Sequence, residues 1–81
     1  MRLDKYLKVS RLIKRRTVAN EACDAERVSV NGRVARASYE VKVGDVIEIR
    51  FGERSLRVRV ASVNETAGKA EAAAMYEEVR D

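Results

Sequence analysis

The sequence predicts a small α+β domain: two N-terminal helices packed on a small, mainly antiparallel sheet, with a C-terminal helix after it. Three observations carry that prediction. Apolar residues recur at helical spacing in the first third of the chain, alternate with period two in its middle, and give way to an alanine-rich stretch near its end. At 81 residues the chain is one domain, close to the size at which a single core just suffices. Hydrophobic residues make up 46% and aromatics 5%, so the core must be a thin one of Val, Leu, Ile and Ala.

Each element has its own signal. Asp4 is placed as the N-cap of the first helix, with Leu3 before it and Leu7 in the turns that follow. Leu3, Leu7 and the Leu12–Ile13 pair form its apolar side. The second helix is expected to begin between Lys14 and Thr17 and to bury Val18, Ala19, Ala22 and Cys23. In "RVSVNGRVA", Val28 and Val30 alternate with polar residues, and Asn31-Gly32 is a strong hairpin-turn signal. Ile47, Ile49 and Phe51 then alternate with Val46, Glu48 and Arg50. Beyond a turn at Gly52-Glu53, Leu56, Val58 and Val60 alternate with Arg57 and Arg59. The stretch "TAGKAEAAAMYEEV" favours a helix, with Thr66 as its cap and Ala70, Ala73, Ala74 and Met75 against the sheet. The expected division is a domain over residues 1–63 and a helical extension, packed on or beside it, over 64–81.

Composition excludes most enzyme mechanisms. The chain has no histidine, the commonest acid–base group and metal ligand. Its one cysteine, Cys23, has no second thiol or imidazole for a zinc site or an activated nucleophile, and reads as a small core residue. One cysteine also excludes an intramolecular disulfide and fits a reducing compartment. No apolar run approaches the length of a membrane span, and no signal-peptide core follows the N-terminal charges. The expectation is a cytoplasmic, non-enzymatic, monomeric protein with no cofactor, no metal and no membrane partner.

The charges point to a polyanion. The net charge is +4, but it is divided unevenly. Residues 1–60 carry 15 cations and 8 anions, or +7, and residues 61–81 carry 2 and 5, or −3. "MRLDKYLKVSRLIKRR" alone holds seven cations against Asp4. Lys14, Arg15 and Arg16 open the second helix, whereas Glu21, Asp24 and Glu26 lie toward its end. That order opposes the helix dipole at about 0.3–1 kcal/mol for each exposed charge. A phosphate backbone would reverse the balance, because helix N-termini offer free N–H groups and arginine adds a planar fork of donors. Arg2, Lys5, Lys8 and Arg11 on the preceding helix would lie nearby if the two helices pack as a hairpin.

The motifs, taken in order, carry a family resemblance. "RLDKYL", the Arg16–Thr17 helix start with Ala19 inside it, "VSVNG" and "VKVGDVIEI" resemble the S4-type RNA-binding domain over about residues 1–51. "MRLDKYLKVSRLIKRRT", the hairpin from Ile49 onward and "EAAAMYEE" extend the likeness nearly end to end. There the chain resembles the RqcP (YabO-type) family of bacterial ribosome quality control, and more distantly the heat-shock protein 15 family. The resemblance implies an RNA-binding factor for large ribosomal subunits blocked by peptidyl-tRNA. Its partners would be 23S-type rRNA, the P-site tRNA and an RqcH-type factor that tails stalled chains. It also implies Arg2 and Arg16 as the main RNA-backbone contacts, with Lys14, Arg15 and Thr17 beside them; charge and helical position add Lys5. Asp4 is expected to cap the helix or orient a neighbouring arginine.

One departure stands out. The family usually has glycine where this chain has Glu26, which puts the helix–strand junction in question. Two other functions compete: a large-subunit recycling factor of the heat-shock protein 15 kind without a tailing role, and a small DNA-binding regulator. The regulator needs base-reading side chains, and the second helix offers only Asn20 beyond its charged start.

Overall fold

A computed structural model describes residues 1–79. Two helices come first, α1 (Leu3–Val9) and α2 (Arg16–Asp24). The strands β1 (Val28–Val30), β2 (Arg33–Val34), β3 (Val46–Phe51) and β4 (Arg54–Val60) follow. A short helix, α3 (Lys69–Ala73), and a last strand, β5 (Tyr76–Glu78), end the described chain. The strands form one antiparallel sheet in the order β2-β1-β3-β4-β5.

The period-two pattern fixes which face of the sheet is buried. Val28, Val30, Ile47, Ile49, Val58 and Val60 all point to one side and are buried against α1 and α2. From the helices come Leu3, Tyr6, Leu7, Ala19 and Cys23. Phe51 continues the inward phase but lies at the hairpin tip, beyond the helices, and is 47% exposed. The two short turns follow their residues. Asn31 and Gly32 both have positive φ (53° and 84°), as a type I′ turn requires. At the second hairpin the positive φ falls on Gly52 alone.

Helix α2 begins at Arg16, within the expected interval. Its buried face is narrower than expected: Ala19 and Cys23, four residues apart, are buried, Ala22 only partly, and Val18 is 47% exposed. Val18 sits about 100° around the helix from Ala19, and small residues on the packed face leave no gap for it to fill. The helix closes on Glu26, whose φ is +61°. The Glu26 amide donates to the Cys23 carbonyl (3.0 Å) and the Arg27 amide to the Ala22 carbonyl (2.9 Å), a Schellman closure. Glu26 thus takes the left-handed role that suits glycine.

The C-terminal segment departs most from expectation. Helix α3 ends at Ala73, and residues 76–78 form a strand on β4, pairing Val60 with Tyr76 and Val58 with Glu78. Gly68, not Thr66, is the N-cap; Thr66 instead donates its amide and hydroxyl to the Asn64 side chain. Ala70, Ala73 and Ala74 are exposed, and Ala72 and Met75 are the buried positions. Two forces overrule alanine's helix propensity. A helix of this length is marginal by itself, and an unpaired β4 edge would leave a row of backbone groups without partners. The Met75 carbonyl is the pivot: it accepts from the Tyr6 hydroxyl (2.8 Å) and from the amides of Ala61 (2.7 Å) and Ser62 (3.1 Å). Burial pushes the Tyr6 phenol above its ordinary range. Arg80 and Asp81, the end of the expected extension, lie outside the described residues.

Glu26→Gly should stabilise the domain by about 0.5–1 kcal/mol, raising the melting temperature by several degrees. Thermal unfolding checks this. A lower melting temperature would show that the Glu26 side chain contributes something its exposure hides.

Candidate nucleic-acid interface

The first residues of α1 are held by a loop, not by their own side chains. Leu3 and Asp4 donate their amides to the carbonyls of Tyr39 (2.8 Å) and Ala37 (3.2 Å), and Val41 donates to Met1 (2.9 Å). Arg2, in extended conformation, is therefore the N-cap residue and pairs with Glu40 as an isolated β-bridge. The supporting loop is fixed in turn by Asp45. Its carboxylate accepts from the Tyr39 hydroxyl (2.9 Å), the Asn31 amide side chain (3.1 Å) and the Lys42 backbone (2.9 Å). The Asn31 carbonyl oxygen accepts the Val46 amide at 2.9 Å. The "VNG" turn and the "VGD" loop thus bear on the placement of Arg2.

With its cap supplied elsewhere, the Asp4 side chain turns toward α2. It is not the N-cap expected from sequence but a first-turn residue, with 3% side-chain exposure. One oxygen accepts the Lys5 amide at 2.8 Å. Arg2 reaches the carboxylate through Nε and Nη2 (3.3 and 3.4 Å), and Arg16 through Nε and Nη2 (3.4 and 3.5 Å). Asn20, one turn beyond Arg16, donates its side-chain amide at 3.3 Å. Burial alone would raise the Asp4 carboxyl; the bonds from Asn20, Arg16, the Lys5 amide and Arg2 outweigh it and hold it below its ordinary value.

Two guanidinium groups thus share one buried carboxylate while each stays about half exposed, at 51% for Arg2 and 47% for Arg16. Each spends part of its five-donor fork on Asp4 and turns the rest to solvent. The cluster keeps a net positive charge and fixes two rotamer-rich side chains before any ligand arrives. Asp4 also puts a negative charge beside the first residue of α2. It thereby offsets part of the dipole conflict that the sequence alone assigns to an external anion.

The other expected site residues divide. Thr17 joins Asp4, Arg16, Asn20 and Glu21 around a shallow pocket. Arg15 is the exposed N-cap residue of α2 and makes no side-chain cap. Lys14 lines a different groove, with Lys8 and Arg11. Lys5 pairs with Glu65 at 3.4 Å, on the rim of that second groove. Sequence reasoning did not find Arg36 and Ser38, which line a polar groove with Arg2 and Asn20. They lie in an irregular segment that carries no periodic signal. Cys23 is buried, and burial first, with Asp4 and Asp24 adding to it, pushes its thiol up to about 11. Among the described residues, no group of His, Cys, Asp and Glu could hold a metal ion, and no helix is long and apolar enough to cross a membrane.

Asp4 should leave a signature in acid. Its folded value is lowered, so its stabilisation is complete above the unfolded value of about 4 and is lost as pH falls through the folded value. Asp45 is held low likewise, its three hydrogen bonds and Lys42 outweighing burial. Stability measured by urea unfolding should be flat from about pH 8 to 5 and fall below about pH 4. Asp4→Asn should cost about 1–3 kcal/mol at neutral pH, because the half-exposed arginines rehydrate, and should shrink the acid-induced fall. An unchanged acid limb in this variant would show that Asp4 is not the titrating group.

Comparison with known proteins follows the same residues. The S4 domain family matches residues 1–47. The "RQC P-site tRNA stabilizing factor" of Halalkalibacterium halodurans is 56% identical over 77 residues, covering 95% of this chain and 88% of that protein. The protein of the same name from Streptococcus pneumoniae is also 56% identical over 77 residues, with the same coverage. Among solved structures, the trimeric Vibrio cholerae Heat Shock Protein 15 superposes with a TM-score of 0.89 at 30% identity, over 98% of this chain and 81% of that one. The chain belongs to the S4-domain proteins and, within them, to the RQC P-site tRNA stabilizing factor family.

Proposed function

We propose that this chain is a non-catalytic RNA-binding factor of ribosome-associated quality control in the cytoplasm. It binds large ribosomal subunits blocked by peptidyl-tRNA, contacts 23S-type rRNA and the P-site tRNA, and supports tailing of the stalled chain by an RqcH-type partner. The observation that carries the reading is the Arg2–Asp4–Arg16 cluster, in a chain whose relatives bear a P-site tRNA stabilising name. Two pre-set forks beside a helix start suit phosphate oxygens better than they suit any reacting group. The shape likeness to heat-shock protein 15 favours a second reading, large-subunit recycling without tailing. Loss of C-terminal tails from stalled chains in cells lacking this protein would separate the two.

Co-sedimentation with blocked large subunits tests the RNA contact. Arg2→Ala and Arg16→Ala should each weaken binding by about ten- to a hundred-fold, the loss of a charge-assisted phosphate contact. Neither should shift stability by more than about 1 kcal/mol, because Asp4 keeps its other donors and the pairs are half exposed. Folded variants that sediment like the wild type would sink the site.

Salt provides an independent check. With about 4–6 phosphate contacts, affinity should fall by roughly two to four powers of ten between low and moderately high salt. A flat response in a binding titration would place the interface away from the basic surface.

A further inference from the structure

The N-terminal cations do not all line one groove. Apart from the depressions beside Arg2 and Arg16, a groove between the end of α1, the α1–α2 loop and residues 65–67 is lined by Lys8, Val9, Arg11, Lys14, Glu65 and Ala67. It shares no lining residue with the pocket at Asp4 and Arg16. Lys8, Arg11 and Lys14 are all exposed, and among the described residues none has an acidic partner. Glu65, the acid in the lining, is paired with Lys5 at 3.4 Å. The contrast with Arg2 and Arg16, which are tied to an internal carboxylate, is direct: here three cations converge with nothing inside the protein to hold them together.

Arg11 adds a second argument. It follows the C-cap Ser10 with φ +65°, and its amide donates to the Lys8 carbonyl at 3.0 Å. Stability at such a left-handed position favours glycine or asparagine. An arginine there spends backbone energy to put a guanidinium into a groove that is already positive. Both terms oppose folding, and a bound polyanion would offset both.

We infer that the Lys8–Arg11–Lys14 groove is a second phosphate-backbone site, separate from the Arg2–Arg16 cluster, that holds a further segment of RNA. The inference rests on the RNA-binding function proposed above. rRNA and tRNA share the backbone chemistry that such a groove recognises, and either could supply the segment.

Arg11→Gly tests it, because fold and binding should move in opposite directions. The variant should melt several degrees higher. It should also bind blocked large subunits about tenfold more weakly, and the slope of log affinity against log salt should flatten by about 1. The triple variant Lys8→Ser, Arg11→Gly, Lys14→Ser should flatten it further. Subunits with and without peptidyl-tRNA identify the source: a loss confined to loaded subunits assigns the segment to tRNA, and an equal loss on both assigns it to rRNA. If Arg11→Gly and the triple variant bind like the wild type while Arg2→Ala and Arg16→Ala do not, the second site is overturned. A weakened affinity with an unchanged salt slope overturns it too, in favour of a protein contact. If the Arg2 and Arg16 variants also bind normally, the proposed function itself has failed.

Discussion

A carboxylate with 3% exposure has to be surrounded by donors, and around Asp4 those donors include the two arginines proposed to meet RNA. Arg2 arrives from the extended N-terminus, Arg16 and Asn20 from α2, and the Lys5 amide from the same turn of α1. Satisfying one buried charge therefore sets the relative placement of α1, α2 and the chain's first residues. It also leaves two guanidiniums fixed and half open to solvent. A ligand that used the cluster, as proposed above, would find part of the side-chain entropy of both arginines already spent.

The rest of the domain serves that placement. Ala37 and Tyr39 accept the amides that start α1, Tyr39 is held by Asp45, and Asp45 also holds the Asn31 turn. On the other side, Tyr6 anchors α1 to the Met75 carbonyl, so the C-terminal segment, far away in sequence, bears on the same helix. The sheet supplies a rigid floor through its Val and Ile face. Arg11 and Glu26 both occupy left-handed positions outside that floor, and Arg11 lines the groove that also holds Lys8 and Lys14.

Much of this was legible in the sequence because it rests on local chemistry. The Asn31-Gly32 turn, the alternation through β3 and β4 and the start of α2 are short-range signals, and the structure agrees with each. The end of the chain is legible only in part, because "KAEAAAMYEE" favours one continuous helix locally: Lys69–Ala73 is helical, but Tyr76–Glu78 is a strand where β4 offers an edge and Tyr6 a hydroxyl. Val18 was misassigned for a related reason: its spacing fits a buried stripe one residue wider than the small-residue contact allows. For the site, charge and family motifs single out Arg2 and Arg16, which the structure brings together on Asp4, but a dipole argument cannot see that Asp4, from another helix, neutralises part of the conflict. Nor could it divide the cations into separate grooves, since Lys14 and Arg16 are near neighbours in sequence and diverge only once the α1–α2 loop is folded.

If Asp4 presents Arg16 to RNA as proposed, the two residues must be coupled in binding. A double-mutant cycle of Asp4→Asn and Arg16→Ala, read as affinity for blocked large subunits, measures that coupling directly. Asp4→Asn also removes a charge that repels phosphate, but this general effect cancels in the cycle. The expected result is that Arg16→Ala costs at least tenfold in the wild-type background and only about threefold once Asp4 is gone, a coupling of about 0.7 kcal/mol or more. Equal losses in both backgrounds would mean that Arg16 reaches RNA without Asp4, and that the buried carboxylate does not present it.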